Sequence, residues 1–190
     1  DKLSKMDGAA ADLCVIENED GFSENDIEAP AGALFNITDQ KTLYSKNAND
    51  EREIASITKI MTALLAMKYA DLSQEVTISY TPEGLESSAV LCGFEQGDKM
   101  MLSSLLSAAL IYSGNDAAID IAIAVAGSQE AFVDMMNQES KELMTSHTHF
   151  ANPTGLTQSK HYSSVYDVYL MFQECLKYPT FRDIIARGSF

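Results

Sequence analysis

Two short runs of residues carry the chemistry that this sequence could perform. The first is Ser56-Ile57-Thr58-Lys59. Serine and lysine three apart at the start of a helix project from one face. A helix N-terminus leaves backbone N–H groups unpaired and carries partial positive charge. A serine placed there can attack a carbonyl while its own N–H steadies the resulting oxyanion. The lysine can take the serine proton if burial lowers its pKa enough to make it neutral. Taken alone, the pair is better explained as an N-capping serine and a snorkelling lysine. The second run is Ser113-Gly114-Asn115. Alone it is an ordinary helix–helix turn. Lying against the first run, Ser113 would relay a proton between Lys59 and a leaving amine, and Asn115 would hydrogen-bond Lys59 and a substrate amide.

Elements able to position these residues are legible in the pattern. Ala33–Thr38 reads as a strand, Asp39-Gln40 as a turn and Thr42–Ser45 as a returning strand, hence a hairpin at a sheet edge. Ser56–Ala70 reads as a helix with Ile57, Ile60, Met61, Leu64 and Leu65 on one apolar face. Glu75–Tyr80 reads as a strand, and Thr81–Lys99, with Pro82, Gly84, Gly93 and Gly97, as turns and loop. One helix uses Leu102, Leu105, Leu106, Ala109 and Leu110; the next uses Ile119, Ala122, Ile123 and Ala126, with Asn115 or Asp116 as its cap. Further helices are expected from Gln129 to about Leu143, after a capping box at Ser164 and Asp167, and after Pro179. Asn152-Pro153-Thr154-Gly155 is a turn.

Composition limits what such a site could serve. The 190 residues hold 28 acids against 13 lysines and arginines, a net charge of −15. Phosphate backbones would repel such a chain, so nucleic acid is excluded as a partner. No apolar run approaches the roughly 20 residues of a membrane helix. Cys14, Cys92 and Cys175 are widely spaced and read as free thiols, with one Cys–Cys pair as the alternative. His147 and His149 lack a third ligand nearby, so no metal is expected; His161 receives no role, and Tyr112 either lines the cleft or packs. Residues 1–30, with nine acids and two lysines, read as a solvated leader.

The two runs together resemble the Ser-x-x-Lys and Ser-x-Asn elements of penicillin-recognising serine enzymes. The chain resembles the bacterial serine-type D-alanyl-D-alanine carboxypeptidases, the low-molecular-mass penicillin-binding proteins. Leu43–Ala48 leading into Ile54–Ala63, then Ser113–Ala118 and Thr148–Leu156, carry the likeness in order, from about Ala31 to Phe190. The resemblance implies an α+β, penicillin-binding-protein/β-lactamase-like transpeptidase fold. Residues 31–190 would form its catalytic domain, with a helical lobe at about 81–160. Ser56 would attack between two terminal D-alanines of a peptidoglycan stem peptide, Lys59 would act as base, and water would hydrolyse the acyl-enzyme. β-Lactams would acylate Ser56 lastingly. No cofactor is implied, and the family works in the bacterial cell envelope, at the outer face of the cytoplasmic membrane.

One departure is serious. No Lys-Thr-Gly occurs; Lys41-Thr42-Leu43 is the nearest run. In the family that motif lies on a later strand of the central antiparallel sheet, so later strands are expected to be missing here and the chain to be the N-terminal portion of a longer enzyme. Losing one oxyanion donor costs about 3–4 kcal/mol of transition-state stabilisation. The 190 residues alone are therefore expected to have little activity, and their open sheet edge to invite self-association. A class A β-lactamase is the enzymatic rival, but Gly114 stands where Ser-Asp-Asn is usual. A non-catalytic relative is the other.

Overall fold

A computed structural model describes residues 27–39, 41–80 and 85–187. The acidic leader therefore lies outside the described residues up to Asp26, as do Cys14 and Gln40 of the hairpin turn.

The chain opens with a hairpin. Strands β1 (Gly32–Asn36) and β2 (Lys41–Lys46) pair antiparallel, with Leu34 opposite Tyr44, Phe35 opposite Thr42 and an irregularity between Leu34 and Phe35. β1 ends earlier than its apolar residues suggest. Asn36 turns back on Asp39, its Oδ1 accepting from the Asp39 N–H at 3.0 Å. Such side-chain capture of the backbone favours a turn over a continued strand. Thr42 and Tyr44 alternate inward, and Phe35 lies 4.3 Å, centroid to centroid, from Tyr169.

Helix α1 (Lys59–Tyr69) is central. Met61, Thr62, Ala63, Leu64, Leu65 and Ala66 are all buried. The expected apolar face is buried, and burial continues round the helix from Met61 to Ala66, as befits a helix in the middle of a core. Ile57 lies before the α-helix and is exposed. Around α1 pack α2 (Leu102–Ile111), α3 (Asn115–Ala126), α4 (Gln129–Glu142) and α5 (Val165–Cys175); α6 (Pro179–Ile185) closes against α2.

Local signals set the helix ends. Gly127, at φ 85°, terminates α3 in the left-handed region. Ser128 caps α4 by accepting from the Ala131 N–H, and Ser164 caps α5 by accepting from the Asp167 N–H. The Asp167 carboxylate turns elsewhere, to the His147 N–H and the Thr148 hydroxyl, each at 2.7 Å. Pro179 occupies the first turn of α6, where its missing N–H costs nothing.

The second small sheet differs from expectation. β3 is Glu75–Thr77 only, and it pairs antiparallel with β4 (Lys99–Met101), an unexpected strand that starts on the last residue of the run read as loop. Lys-Met-Met has no β-branched residue to announce a strand. The Ser79 and Tyr80 N–H groups leave the ladder for the buried Asp120 carboxylate, at 3.0 and 3.2 Å. Among the described residues the two sheets have two strands each.

Candidate active site

The first run folds as a 3-10 turn, Ala55–Thr58, that leads directly into α1. Three residues per turn bring positions i and i+3 into eclipse. The Lys59 Nζ consequently stands 3.1 Å from Ser56 Oγ. Neither half of the simpler reading, a capping serine and a snorkelling lysine, describes the fold. No side chain caps this turn, and Lys59 is only 2% exposed. Ala55 adopts φ 45°, an unusual value for a residue with a Cβ.

Three acceptors converge on the Lys59 amine. Ser56 Oγ is one, Asn115 Oδ1 lies at 2.9 Å and the Thr154 carbonyl at 2.8 Å. The Asn115 amide is fixed in orientation because its Nδ2 donates to the Val90 carbonyl. Both Asn115 Oδ1 and Thr154 O can only accept. A neutral lysine has two N–H donors and one lone pair. With the donors spent on Asn115 and Thr154, the lone pair faces the Ser56 hydroxyl. Burial lowers the Lys59 pKa to about 8, against opposition from the carboxylate of Asp116.

The second run completes the cluster. Ser113 follows α2 at φ 61°, a left-handed turn that directs its hydroxyl to Ser56 Oγ at 2.8 Å. Gly114 precedes α3, and a Cβ there would run into the Cys92 sulfur and stand 3.0 Å from Asp116 Oδ1. Asn115 begins the helix rather than capping it. Asp116 does not cap α3 across its first turn either. Its carboxylate accepts from the Ala117 N–H and from the Cys92 and Gly93 N–H groups, all at 2.9 Å. Those bonds hold the 92–93 loop beside Lys59. The Cys92 thiol is pushed up to about 11 by burial and by Asp116, so it stays protonated near neutral pH.

The turn at 152–155 forms the third wall. Asn152 Oδ1 gathers the Thr154 N–H, the Thr154 hydroxyl and the Gly155 N–H. This aims the Pro153 carbonyl at the Thr62 hydroxyl, 2.7 Å away, and the Thr154 carbonyl at Lys59. Gly155, at φ 89°, presses on the Ala55–Ser56 peptide; a Cβ there would overlap the Ala55 carbonyl and lie 3.0 Å from Ser56 N.

All four candidate residues, Ser56, Lys59, Ser113 and Asn115, therefore meet in one place. Sequence reasoning missed the Thr154 carbonyl, which no side chain announces, and it missed His161. That ring is buried between Thr58 Oγ1 and the Ala151 N–H. His149 sits elsewhere, exposed, with Nδ1 against the Lys160 carbonyl, and Tyr112 is 54% exposed beside Ser113.

A family model described as D-alanyl-D-alanine carboxypeptidase (peptidase S11) matches residues 18–186. The chain belongs to the D-alanyl-D-alanine carboxypeptidase family. It is 41% identical over 156 residues to the D-alanyl-D-alanine carboxypeptidase DacF of Bacillus subtilis, covering 80% of this chain and 40% of that protein. It is 32% identical over 160 residues to DacA of Escherichia coli, again covering 80% of this chain and 40% of the relative. Two solved structures superpose well. Penicillin binding protein 6B from Escherichia coli gives a TM-score of 0.80 at 26% identity, over 92% of this chain and 59% of that one. A mutant of a Streptomyces DD-transpeptidase gives 0.78 at 28%, over 83% and 65%. The chain thus spans less than half the length of these curated carboxypeptidases. Its helical core, partial sheet and α+β class are those of the penicillin-binding-protein fold.

Proposed function

We propose that the protein is a serine DD-carboxypeptidase that removes the terminal D-alanine from peptidoglycan stem peptides. Ser56 Oγ attacks the carbonyl between the two D-alanines, and its proton passes to the Lys59 lone pair. The resulting ammonium keeps its bonds to Asn115 and Thr154. Ser113, within 2.8 Å of Ser56 Oγ, relays that proton from the Lys59 ammonium to the nitrogen of the leaving D-alanine, which leaves Lys59 neutral again. Water then hydrolyses the ester on Ser56 and regenerates the hydroxyl. β-Lactams acylate the same oxygen. The observation that carries this reading is the buried Lys59 amine with two fixed acceptors and its third direction open to Ser56.

The reading extends to the rest of the chain. Residues 31–190 belong to the catalytic domain, with a helical lobe at about 81–160, behind the acidic segment 1–30. The protein works in the bacterial envelope, at the outer face of the cytoplasmic membrane. Among the described residues no helix is long and apolar enough to cross a membrane. Leu34 and Ile37 stand exposed at the hairpin, and self-association through that edge is part of the proposal; a clean monomer in concentrated sedimentation contradicts that part alone. The rival β-lactamase reading gains nothing from Gly114, where the Cys92 sulfur occupies the space of a side chain.

The test is release of D-alanine from a peptide ending in D-Ala-D-Ala, against the same peptide ending in L-Ala. Release from the first alone supports the reading; steady penicillin turnover without D-alanine release overturns it. For the isolated 190 residues slow reaction is expected, so relative rates are the informative readout.

A further inference from the structure

His161 lies outside both motifs, and its geometry assigns it a task. Its Nδ1 sits 3.0 Å from the Ala151 N–H, which can only donate. Nδ1 therefore accepts and carries no proton. The neutral ring holds its proton on Nε2, which lies 2.7 Å from Thr58 Oγ1. One imidazole thus joins two segments that are distant in sequence. Thr58 belongs to the turn between the nucleophile and its base. Ala151 opens the turn whose Thr154 carbonyl fixes Lys59.

We propose that His161 is a positioning residue: as the Nε2–H tautomer it locks the Ser56–Lys59 turn to the 151–155 turn and so keeps the Thr154 carbonyl on the Lys59 amine. The proposal rests on the reading of Ser56 and Lys59 as nucleophile and base. An imidazolium cannot accept from Ala151, so only the neutral ring makes both bonds. Burial supports this by pushing the His161 pKa down, with His149 adding to the effect.

A purely structural histidine is the competing role, because backbone pairs already brace the region. His149 and Tyr162 exchange two bonds at 2.9 and 3.0 Å, and Arg52 and Ser163 exchange two at 2.8 and 3.0 Å. If those suffice, the ring only fills space. The two roles separate on four variants of the chain: His161→Leu, which fills the space without bonding; His161→Asn, which can keep an acceptor for Ala151; Thr58→Val, which removes only the hydroxyl; and the Leu/Val double variant.

The readouts are the rate of Ser56 acylation by a fluorescent penicillin and the NMR titration of Lys59 Nζ, with folding checked by circular dichroism. A misplacement of about 1 Å at a reacting group costs up to about 100-fold. His161→Leu and Thr58→Val are each expected to slow acylation by roughly 30-fold, with the double variant no slower than either. His161→Asn should recover part of the loss. The Lys59 midpoint should rise in both single variants, as water reaches the loosened amine. Nitrogen NMR of the native ring should show Nδ1 unprotonated. Acylation within about twofold of wild type in folded His161→Leu, with an unmoved Lys59 midpoint, overturns the proposal. Should His161→Leu not fold, Thr58→Val decides by the same two readouts. Should wild type not acylate at all, the reading of the site fails, while the Lys59 midpoint still tests the role of His161.

Discussion

Lys59 should show its lowered pKa in both the rate and the stability of the protein. The perturbation is pH. An ordinary lysine titrates at 10.5, whereas burial brings this one to about 8. That difference of about 2.5 units corresponds to roughly 3 kcal/mol. Near pH 7 about a tenth of Lys59 is then neutral, against roughly 0.03% of an unperturbed lysine, a gain of about 300-fold in competent base. Acylation of Ser56 should therefore rise about tenfold per pH unit below about pH 8 and level off above it. Stability follows with a definite sign. Because the folded pKa lies below the unfolded one, the unfolded chain holds a proton that the folded chain has lost between about pH 8 and 10.5. Stability should rise across that window, and the full cost of burying the charge, about 3 kcal/mol, applies below it. The assay is the labelling rate with a fluorescent penicillin from about pH 6 to 9.5, beside denaturant melts over the higher range. A rate that is flat across this interval, or still rising tenfold per unit at about pH 9.5, refutes the argument.

Two further outcomes test the walls of the site. Gly155→Ala places a Cβ against the Ala55 carbonyl at a φ of 89°; it should cost about 3 kcal/mol in a denaturant melt and slow Ser56 labelling together. A melting curve matching wild type contradicts that close approach. Asp116→Asn puts an amide donor where the Cys92 and Gly93 N–H groups now find a carboxylate oxygen. It should destabilise by about 3 kcal/mol and increase hydrogen exchange at 92 and 93; unchanged exchange there would show that the carboxylate does not hold the loop.

The sequence disclosed side-chain chemistry well and backbone chemistry poorly. Ser56, Lys59, Ser113 and Asn115 were legible because each is a reactive or polar side chain at a fixed spacing. Ser128 and Ser164 marked helix starts for the same reason. The Thr154 carbonyl left no such trace, since any residue at that position would supply it. His161 was visible as a residue but not as a partner, because 103 positions separate it from Thr58. The turn at Ser56 read as α-helix, and only the 3-10 geometry explains how closely its hydroxyl and amine approach. β4 escaped notice because Asp98 and the β3 ladder, not its own Lys-Met-Met composition, hold it in place. The all-round burial of α1 from Met61 to Ala66 was hidden because alanines and Thr62 fill the side that periodicity leaves unmarked.

The most direct test is to incubate the chain with a β-lactam for an extended period and map the adduct by peptide mass spectrometry. One acyl group is expected on Ser56, absent in Ser56→Ala and strongly slowed in Lys59→Ala. An adduct on any other residue, or one that forms on Ser56 just as fast without the Lys59 amine, would contradict the mechanism.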